Sequence, residues 1–299
     1  MKDLFIFNRK TKTEEKEEIY GKIFLSFLYK KNIFSKVLSF VICKFLFFSK
    51  LYGFFMKTSW SQRKIKPFIE KFNIKEEEFE KSIEEFSSFN DFFIRKLKED
   101  SRPIYYEDKA LIFPADGRYL AIDNIEEVDG FYVKGEKFRL EQFLQSKELA
   151  EEYKKGSMLI GRLAPVDYHR FHFPFDCVPS ESKCINGYLF SVNPLAVVKN
   201  INIFAENKRV ITVLEDENIN KVIYVEIGAT NVGSIKQTYH PNNLQRKGDE
   251  KGYFELGGSS VILIFKEGEI EFCEDLLQTS SRKIEMKAQM GDRFATFLR

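Results

Sequence analysis

The sequence predicts an α+β protein, in which a helical N-terminal region precedes a mainly antiparallel β domain. The first observation is a change of pattern near residue 104. From there, short apolar or alternating runs recur between Gly, Asp and Asn residues, as is typical of antiparallel strands. The second is the helical spacing of apolar residues before that point. We therefore assign residues 1–100 to the helical region and residues 101–299 to the β-rich domain.

The composition excludes several classes of protein. Lys and Arg number 47 against 45 Asp and Glu, so the net charge of +2 is not that of a nucleic-acid polycation and we expect no nucleic-acid partner. None of the four cysteines forms a CxxC pair, which argues against a zinc ribbon and a thioredoxin-like site. The N-terminus lacks the long apolar run and the small-residue cleavage site of a signal peptide.

Residues 21–66 form a basic, Phe-rich segment with ten Lys or Arg and no Asp or Glu. A spanning helix needs about 20 apolar residues, and Lys44 and Lys50 interrupt the best window. On a helical wheel Lys36, Lys44, Lys50 and Lys57 fall within roughly 140°, at about 100° per residue. This pattern is typical of a helix that lies in the membrane interface with lysines toward anionic headgroups. The alternative is an amphipathic helix packed on its own domain.

Helices are predicted to continue as far as residue 98. In the acid-rich segment 73–85, Phe79 and Ile83 recur at helical spacing with Phe86. Ser88 then precedes the run FNDFFIRKL, which predicts an N-cap followed by a short helix.

The β-rich domain contains seven runs with the character of strands. They are YLAID, FYVKG, MLIGRLA, INGYLFSV, RVITVLE, KVIYVEIGA and SVILIF. One helix is predicted among them, at residues 140–153.

Two of the three histidines lie in one run, DYHRFHFP, at residues 167–174. Three interpretations of His169 and His172 compete. A metal site has no obvious third ligand nearby, so we predict no metal. Both imidazoles could instead be structural and form hydrogen bonds. We favour acid–base catalysis by at least one of them, because of the two segments described next.

Two glycine-containing turns complete the candidate segments. FPADGR, at residues 113–118, predicts a turn in which Asp116 could orient a histidine as the third member of a triad. ELGGSSVILIF, at residues 255–265, predicts a hairpin turn that enters a strand. It also contains the pair Gly258-Ser259, where a serine hydroxyl could attack the unhindered carbonyl before it once a base removes its proton.

In this order the segments resemble the phosphatidylserine decarboxylase family. FNDFFIRKL is similar to the family's entry segment, PADG (114–117) to its aspartate motif, and YHRFHFP (168–174) to its histidine motif. LFSVNP (189–194) and GATNVGSI (228–235) resemble two further blocks. GGSSVILIF carries Gly-Ser-Ser where the family has Gly-Ser-Thr, with an extra Gly before it. Any one block is a weak signal, whereas the ordered set over residues 89–291 is specific.

The resemblance implies a carboxy-lyase that processes itself. Asp116 would orient His172, which would deprotonate the Oγ of Ser259, and this oxygen would attack the carbonyl of Gly258. A large chain, residues 1–258, would result. The remaining small chain would run to residue 299 and begin with a covalent pyruvoyl group made from the serine.

The pyruvoyl group is therefore the implied cofactor, and it would accept electrons as pyridoxal phosphate does. Its Schiff base with the amine of phosphatidylserine would lose carbon dioxide and then release phosphatidylethanolamine. His172 is the first candidate for the proton donor in this step and His169 the second. Arg170 and Lys236 are candidates for contacts with the substrate phosphate or carboxylate.

A diacyl lipid substrate implies an enzyme that works at a bilayer surface. We predict phosphatidylserine in an anionic membrane as its partner, and a peripheral location on the cytoplasmic face of the cell membrane. The large and small chains would stay associated through the strand that follows the cleavage point. A homodimer is plausible by analogy with the family.

Three other functions remain open at this stage. The first is a pyruvoyl-dependent decarboxylase of a soluble amino acid. The second is a Ser-His-Asp hydrolase that uses Ser259, His172 and Asp116 without processing itself. The third is a non-catalytic membrane-binding β module.

Overall fold

The structure is a computed structural model that describes residues 4–17, 53–126, 138–193, 197, 201–216, 219–229 and 234–298. Within these ranges it confirms an α+β fold with mainly antiparallel sheets. The predicted strand FYVKG and most of the basic, Phe-rich segment, including Lys36, Lys44 and Lys50, lie outside the described residues. No helix in the described ranges is long and apolar enough to cross a bilayer.

The described chain carries eight strands up to residue 185. They are β1 (Phe5–Asn8), β2 (Thr13–Lys16), β3 (Ala110–Ile112), β4 (Gly117–Ile122), β5 (Ser157–Leu163), β6 (Arg170–His172), β7 (Val178–Pro179) and β8 (Lys183–Ile185). The later strands are β9 (Arg209–Asp216), β10 (Ile219–Gly228), β11 (Ile235–Gln237), β12 (Glu250–Phe254), β13 (Ser259–Phe265), β14 (Ile270–Phe272), β15 (Glu285–Ala288) and β16 (Arg293–Phe297). The helices are α1 (Ile65–Phe72), α2 (Phe89–Phe93), α3 (Leu140–Leu144), α4 (Lys147–Tyr153), α5 (Ile203–Glu206) and α6 (Glu274–Ser281).

The largest sheet among the described residues has ten strands. Its order is β2-β1-β15-β4-β5-β13-β10-β9-β7, and β8 also pairs with β9. The pairing of β1 with β15 is parallel and the other pairings are antiparallel. Strand β13 lies inside this sheet between β5 and β10, so the residues after Gly258 are held by ladders on both sides.

The two faces of β13 are both buried, which explains its continuous apolar run. Side chains alternate between the faces of a strand. Val261 and Leu263 pack in a cluster with Phe171 from β6, whereas Ile262 and Ile264 belong to a separate cluster on the opposite face. The face on which a β13 residue lies therefore decides which other segments it can meet.

Two smaller sheets complete the β domain. One has the order β11-β12-β6 and carries the histidine motif on its edge strand β6. The other has the order β14-β16-β3 and leads into the turn that contains Asp116. Both predicted motif segments thus enter the domain on short strands outside the large sheet.

A third hydrophobic cluster lies in the helical part, residues 53–97. Phe68, Phe79, Phe86, Phe89 and Phe92 are buried there, with several ring pairs in edge-to-face contact. Such pairs add to the free energy of burying the rings. Part of the excess of Phe in the sequence is therefore core material.

The prediction of helix throughout residues 1–100 is wrong for the first described segment. Residues 5–16 form the hairpin of β1 and β2, and β1 pairs with β15 from the far end of the chain. A parallel pairing over such a separation has no local signature in the sequence. The acid-rich segment also differs, because it forms single 3-10 turns at Glu76–Glu78 and Ile83–Glu85.

Two predictions inside the β domain also need correction. The predicted helix 140–153 is divided into α3 and α4 at Gln145, which has a φ of 52°. The run INGYLFSV is a strand only at its first residue, where β8 ends. Farther along this run, Phe190 is held by Asn207, whose side chain accepts from Phe190 N at 2.9 Å and donates to Phe190 O at 2.8 Å.

Candidate active site

Ser259 is the first residue of β13 and follows a turn of two glycines. Its side chain is fully buried, and its Oγ has no hydrogen-bond partner among the described residues. Gly257 has a φ of 137°, a conformation that L side chains rarely adopt. At Gly258 an added Cβ would have no heavy atom within 4 Å, so the approach to this residue is open. A buried hydroxyl without a partner is costly, and such atoms in native structures call for a functional explanation.

Ser259 and Ser260 are both buried without a partner in the described chain, but they lie on opposite faces of β13. By alternation, Ser259 shares the face of Val261 and therefore of the cluster that contains the β6 residue Phe171. Ser260 shares the face of Ile262, in the other cluster. Of the two serines, only Ser259 is on the side of the histidine motif.

His172, on β6, is buried and hydrogen-bonded at both ring nitrogens. Its Nδ1 lies 2.9 Å from Gly248 O, and because a carbonyl only accepts, Nδ1 carries the hydrogen. Its Nε2 lies 3.3 Å from the hydroxyl of Tyr168 and accepts from it. Burial lowers the pKa of His172, so the ring is a neutral imidazole at neutral pH.

The carboxylate of Asp116 is occupied by Arg102. Arg102 Nε donates to Oδ1 at 2.9 Å, Nη2 donates to Oδ2 at 2.7 Å, and Met290 N also donates to Oδ1 at 2.9 Å. Arg102 is held in turn by Glu78, with Nη1 and Oε2 2.9 Å apart. This double contact is the strong, bidentate form of the arginine–carboxylate pair.

Asp116 is close to His172 without forming a hydrogen bond to it in the described structure. The backbone N of His172 donates to Pro114 O at 2.7 Å, two residues before the aspartate. The charge of Asp116 favours the protonated ring and partly offsets the effect of burial on the pKa of His172. Its influence on the imidazole is therefore electrostatic.

His169 is fully buried and stacked on Phe93, with ring centroids 3.9 Å apart. Its Nε2 donates to Ala164 O at 3.0 Å, which leaves Nδ1 as an acceptor, and Nδ1 has no partner among the described residues. Burial, and next the cation of Arg95, lower the pKa of His169 to about 3. At neutral pH its Nδ1 therefore carries a lone pair and no proton.

The register of the large sheet links His169 to Ser259. Leu163 on β5 is paired with Ser259, and the next residue, Ala164, accepts the hydrogen bond of the His169 ring. His169 O also accepts from Phe254 N at 3.0 Å, at the end of the strand before the glycine turn. The described contacts therefore bring His169 to the strand end that carries Ser259, but they show no hydrogen bond between Ser259 and either histidine.

A buried network of ion pairs connects the start of the histidine motif to the N-terminal hairpin. Asp167, the residue just before that motif, pairs with Arg118 and accepts from Ala164 N at 2.7 Å. Arg118 and Arg162 both pair with Glu17, at 2.7 and 2.8 Å. The N-terminal hairpin is thereby joined to the turn on which His169 lies, a role that the sequence did not suggest.

The two predicted substrate contacts differ in their surroundings. Arg170 is engaged inside the protein, with Nη1 2.7 Å from Glu250 Oε2 and Nε 3.0 Å from Ile94 O. Lys236, on β11, is exposed. No group of His, Cys, Asp and Glu in the described ranges is arranged to hold a metal ion.

Comparison with known proteins gives a consistent result. A family model described as phosphatidylserine decarboxylase matches residues 89–296. A protein of Chlamydia pneumoniae named phosphatidylserine decarboxylase proenzyme is 53% identical over 203 residues, which cover 68% of this chain and 67% of that relative. Proteins of the same name from Chlamydia muridarum and Fusobacterium nucleatum are 51% identical over 203 residues and 48% identical over 206, with coverage of 67–69% on both sides. The chain belongs to the phosphatidylserine decarboxylase family.

These matches confirm two predictions made from the motifs, namely the phosphatidylserine decarboxylase family and the carboxy-lyase class of enzyme. The match begins at α2 and includes Asp116, both histidines of the motif and Ser259. It does not reach Glu17, so the ionic contact of the N-terminal hairpin with the turn of His169 lies outside the matched region.

Acidification should destabilise the folded chain through His169. In the unfolded chain this histidine takes up a proton below about pH 6.5, whereas in the fold it stays neutral down to about 3. Stability is therefore lost as the pH falls through this window, by up to ~1.4 kcal/mol per pH unit. We expect the slope to be smaller in His169→Gln.

The measurement is urea unfolding between about pH 7 and about pH 4, on chains that carry Ser259→Ala to remove the predicted processing. Other groups titrate in this range in both chains, so the difference between the two slopes is the informative quantity. Parallel curves for the two chains would contradict the assigned protonation state of His169.

Proposed function

We propose that the chain is a precursor that splits between Gly258 and Ser259 and then converts phosphatidylserine to phosphatidylethanolamine and carbon dioxide. The observation that carries the proposal is the buried Oγ of Ser259, which lies directly after a two-glycine turn and has no hydrogen-bond partner in the described part of the chain. It occupies the position at which the family motif predicts processing. The relatives' name, proenzyme, supports the existence of a precursor.

Self-cleavage proceeds without an added reactant other than water. The Oγ of Ser259 attacks the carbonyl carbon of Gly258, so that an ester forms, the amide breaks and the serine amine takes a proton. Loss of the α-proton then breaks the Cβ–O bond and frees the carboxylate of Gly258. The dehydroalanine that remains hydrolyses to a pyruvoyl group with release of ammonia.

The surroundings of Ser259 fit a pyruvoyl group at this position. The hydroxyl forms no hydrogen bond to the described residues that its removal would break, and the adjacent Gly258 leaves the approach open. The pyruvoyl carbonyl supplies the electron sink that amino-acid decarboxylation needs and that ordinary side chains lack. The ladders of β13 with β5 and β10 keep residues 259–265 in the sheet after the split.

The two histidines are proposed to divide the proton transfers. We assign His172, with the nearby charge of Asp116, as the base for Ser259, because Nδ1–H donates to Gly248 O and leaves Nε2 unprotonated. The serine hydroxyl would replace the hydroxyl of Tyr168 as the donor to Nε2. We assign His169 as the group that relays a proton: its Nδ1 would take up the proton that the substrate ammonium loses before its amine attacks, and would return it to the α-carbon after decarboxylation. Its Nδ1, which has no partner among the described residues, and its link to the Ser259 strand through Ala164 support a role beside the reacting carbon.

Separate assays of the two steps test this division. His172→Gln and Asp116→Asn should slow the splitting of the chain itself. His169→Gln should split and yet turn over lipid poorly. A His169→Gln chain that stays whole while His172→Gln splits normally would reverse the two roles.

The membrane is proposed as the site of action, peripherally on its cytoplasmic face. Phe54, Phe55 and Trp60 are exposed at 68%, 52% and 49%. Arg63 and Lys64 lie over the Trp60 ring at 4.8 and 5.7 Å from its centroid. Exposed rings beside cations suit an anionic lipid interface, where the rings enter the acyl boundary and the charges meet headgroups.

Liposome binding tests the proposed membrane surface. Replacing Phe54 and Trp60 with Ser should weaken co-sedimentation with vesicles that contain phosphatidylserine, and replacing Lys36, Lys44 and Lys50 with Glu should do the same. Unchanged co-sedimentation of both variants would contradict the proposal.

A homodimer remains a prediction, and analytical ultracentrifugation in detergent tests it.

The decisive experiment combines an intact mass spectrum with a lipid assay. We expect two chains, split after residue 258, and release of carbon dioxide from phosphatidylserine vesicles but not from free serine. Activity on free serine without lipid would favour a soluble amino-acid decarboxylase. Esterase activity of a chain that stays whole would favour the hydrolase.

A further inference from the structure

The loop that precedes the cleavage point is attached to the helical part of the chain. Glu255 Oε1 pairs with Lys57 Nζ at 2.7 Å. Leu256 N donates to the side-chain oxygen of Asn90 at 3.2 Å, in a buried hydrogen bond. The Leu256 side chain is 7% exposed and packs in the cluster of phenylalanines from residues 53–97. Three different contacts thus fix the two residues just before Gly257 and Gly258.

The helical residues that make these contacts are themselves held in place by hydrogen bonds. Asn90 is buried in α2, whose N-cap Ser88 accepts from Asp91 N at 3.2 Å. Phe89 N donates to Ser61 Oγ at 2.9 Å, and Ser61 Oγ donates to Met56 O at 3.0 Å. The segment that carries Lys57 is therefore tied to the helix that carries Asn90, and both act on the loop as one unit.

We propose that this unit is a clamp that positions the cleavage loop, with Lys57 and Asn90 as positioning residues for self-cleavage. The inference rests on the proposed splitting at Gly258. Attack requires the serine oxygen to come within about 3–3.5 Å of the carbonyl carbon. Two successive glycines allow the loop many conformations, and anchors just upstream reduce their number.

The observed contact of Lys57 differs from the role that the sequence predicts for it. The helical wheel assigns this lysine to the membrane-facing set, with Lys36, Lys44 and Lys50, whereas the structure pairs it with Glu255. A Glu at position 57 would place two carboxylates opposite each other at the loop. Charge reversal at Lys57 should therefore affect cleavage itself.

The first test measures how fast freshly synthesised chains split. Asn90→Leu removes the acceptor of Leu256 N and should slow splitting on the order of fivefold, the equivalent of one hydrogen bond. Lys57→Glu and Glu255→Lys should each slow it by a similar factor, and the double exchange should restore the rate. As a control, Lys66→Gln breaks the exposed Lys66–Glu84 pair in the same helical part and should have no effect.

Two further readouts separate positioning from general damage. Turnover of lipid per split chain should be unchanged in Asn90→Leu, because the loop is already cut. In a Ser259→Ala background, the amide of Leu256 should exchange its hydrogen faster when Asn90 is replaced with Leu. If the wild type splits and all variants split at the same rate, the clamp is overturned and the proposed function stands. A wild-type chain that stays whole overturns both.

Discussion

Replacing Ser259 with Ala should leave the chain whole and abolish decarboxylation completely. The change removes the only atom proposed to attack Gly258, and with it the source of the pyruvoyl group. It should cost little stability, because the Oγ is buried with no partner among the described residues and its loss breaks no hydrogen bond to them. Intact mass, lipid turnover and urea unfolding of the same preparation measure the three outcomes.

Ser260→Ala is the matched control for this experiment. Ser260 is equally buried and equally without a partner in the described ranges, and it is the next residue of the same strand. It lies on the face of β13 that is turned away from the histidine motif. We expect Ser260→Ala to split and to retain activity. Loss of splitting in Ser260→Ala alone would transfer the reaction to the second serine.

Replacing Glu226 with Leu should destabilise the fold by about 3–5 kcal/mol, since it leaves a buried ammonium without its carboxylate. Lys251 and Glu226 are both fully buried, with Nζ and Oε1 2.5 Å apart. Nζ also donates to Thr212 Oγ1 at 2.9 Å and to Gln237 Oε1 at 2.8 Å. Burial lowers the pKa of Lys251 and raises that of Glu226, and the two opposite charges offset these shifts.

The double variant Glu226→Leu/Lys251→Met provides the comparison. Replacing a whole buried ion pair with apolar side chains is often neutral, whereas removing one partner is costly. We expect the double variant to recover most of the lost free energy of unfolding, measured in urea on chains that carry Ser259→Ala. Equal stability of the single and double variants would show that the lysine finds another partner.

The Lys251–Glu226 ion pair connects two strands that are neighbours of the candidate site. Lys251 lies on β12, which pairs with the histidine-bearing β6, and Glu226 lies on β10, opposite Val261 of β13. The ion pair thus joins the strand system of the histidines to the strand that begins with Ser259. Its loss should reduce self-cleavage as well as stability.

Several elements could be predicted because their signals are local. Ser88 followed by FNDFF specifies an N-capped helix, and α2 begins at the expected residue. The run after the two glycines has no polar side chain from Val261 to Phe265, as a strand buried on both faces requires, and it is β13. Period and capping depend on neighbours in the sequence, so the sequence contains them.

Other parts of the candidate site could not be predicted, because they depend on residues far apart in the chain. Arg102 is an unremarkable residue before a proline, and its role became visible only through its contacts with Asp116. The triad of Asp116, His172 and Ser259 stays a prediction, since the described hydrogen bonds of the first two go to other groups. The helical wheel likewise could not predict that Lys57 pairs with Glu255, because the two residues are far apart in the sequence.

The sequence by itself determined the chemistry that this protein has available: a serine after a flexible glycine pair, two histidines in one run, an aspartate in a turn, and a family that uses them in this order. Only the tertiary structure decided which serine lies on the face of β13 that packs against Phe171 of the histidine strand, which imidazole nitrogen lacks a partner among the described residues, and which helix anchors the cleavage loop. The physical reason is that residue types and their periodicity are local properties. Burial, charge pairing and hydrogen-bond saturation arise when distant segments pack against one another.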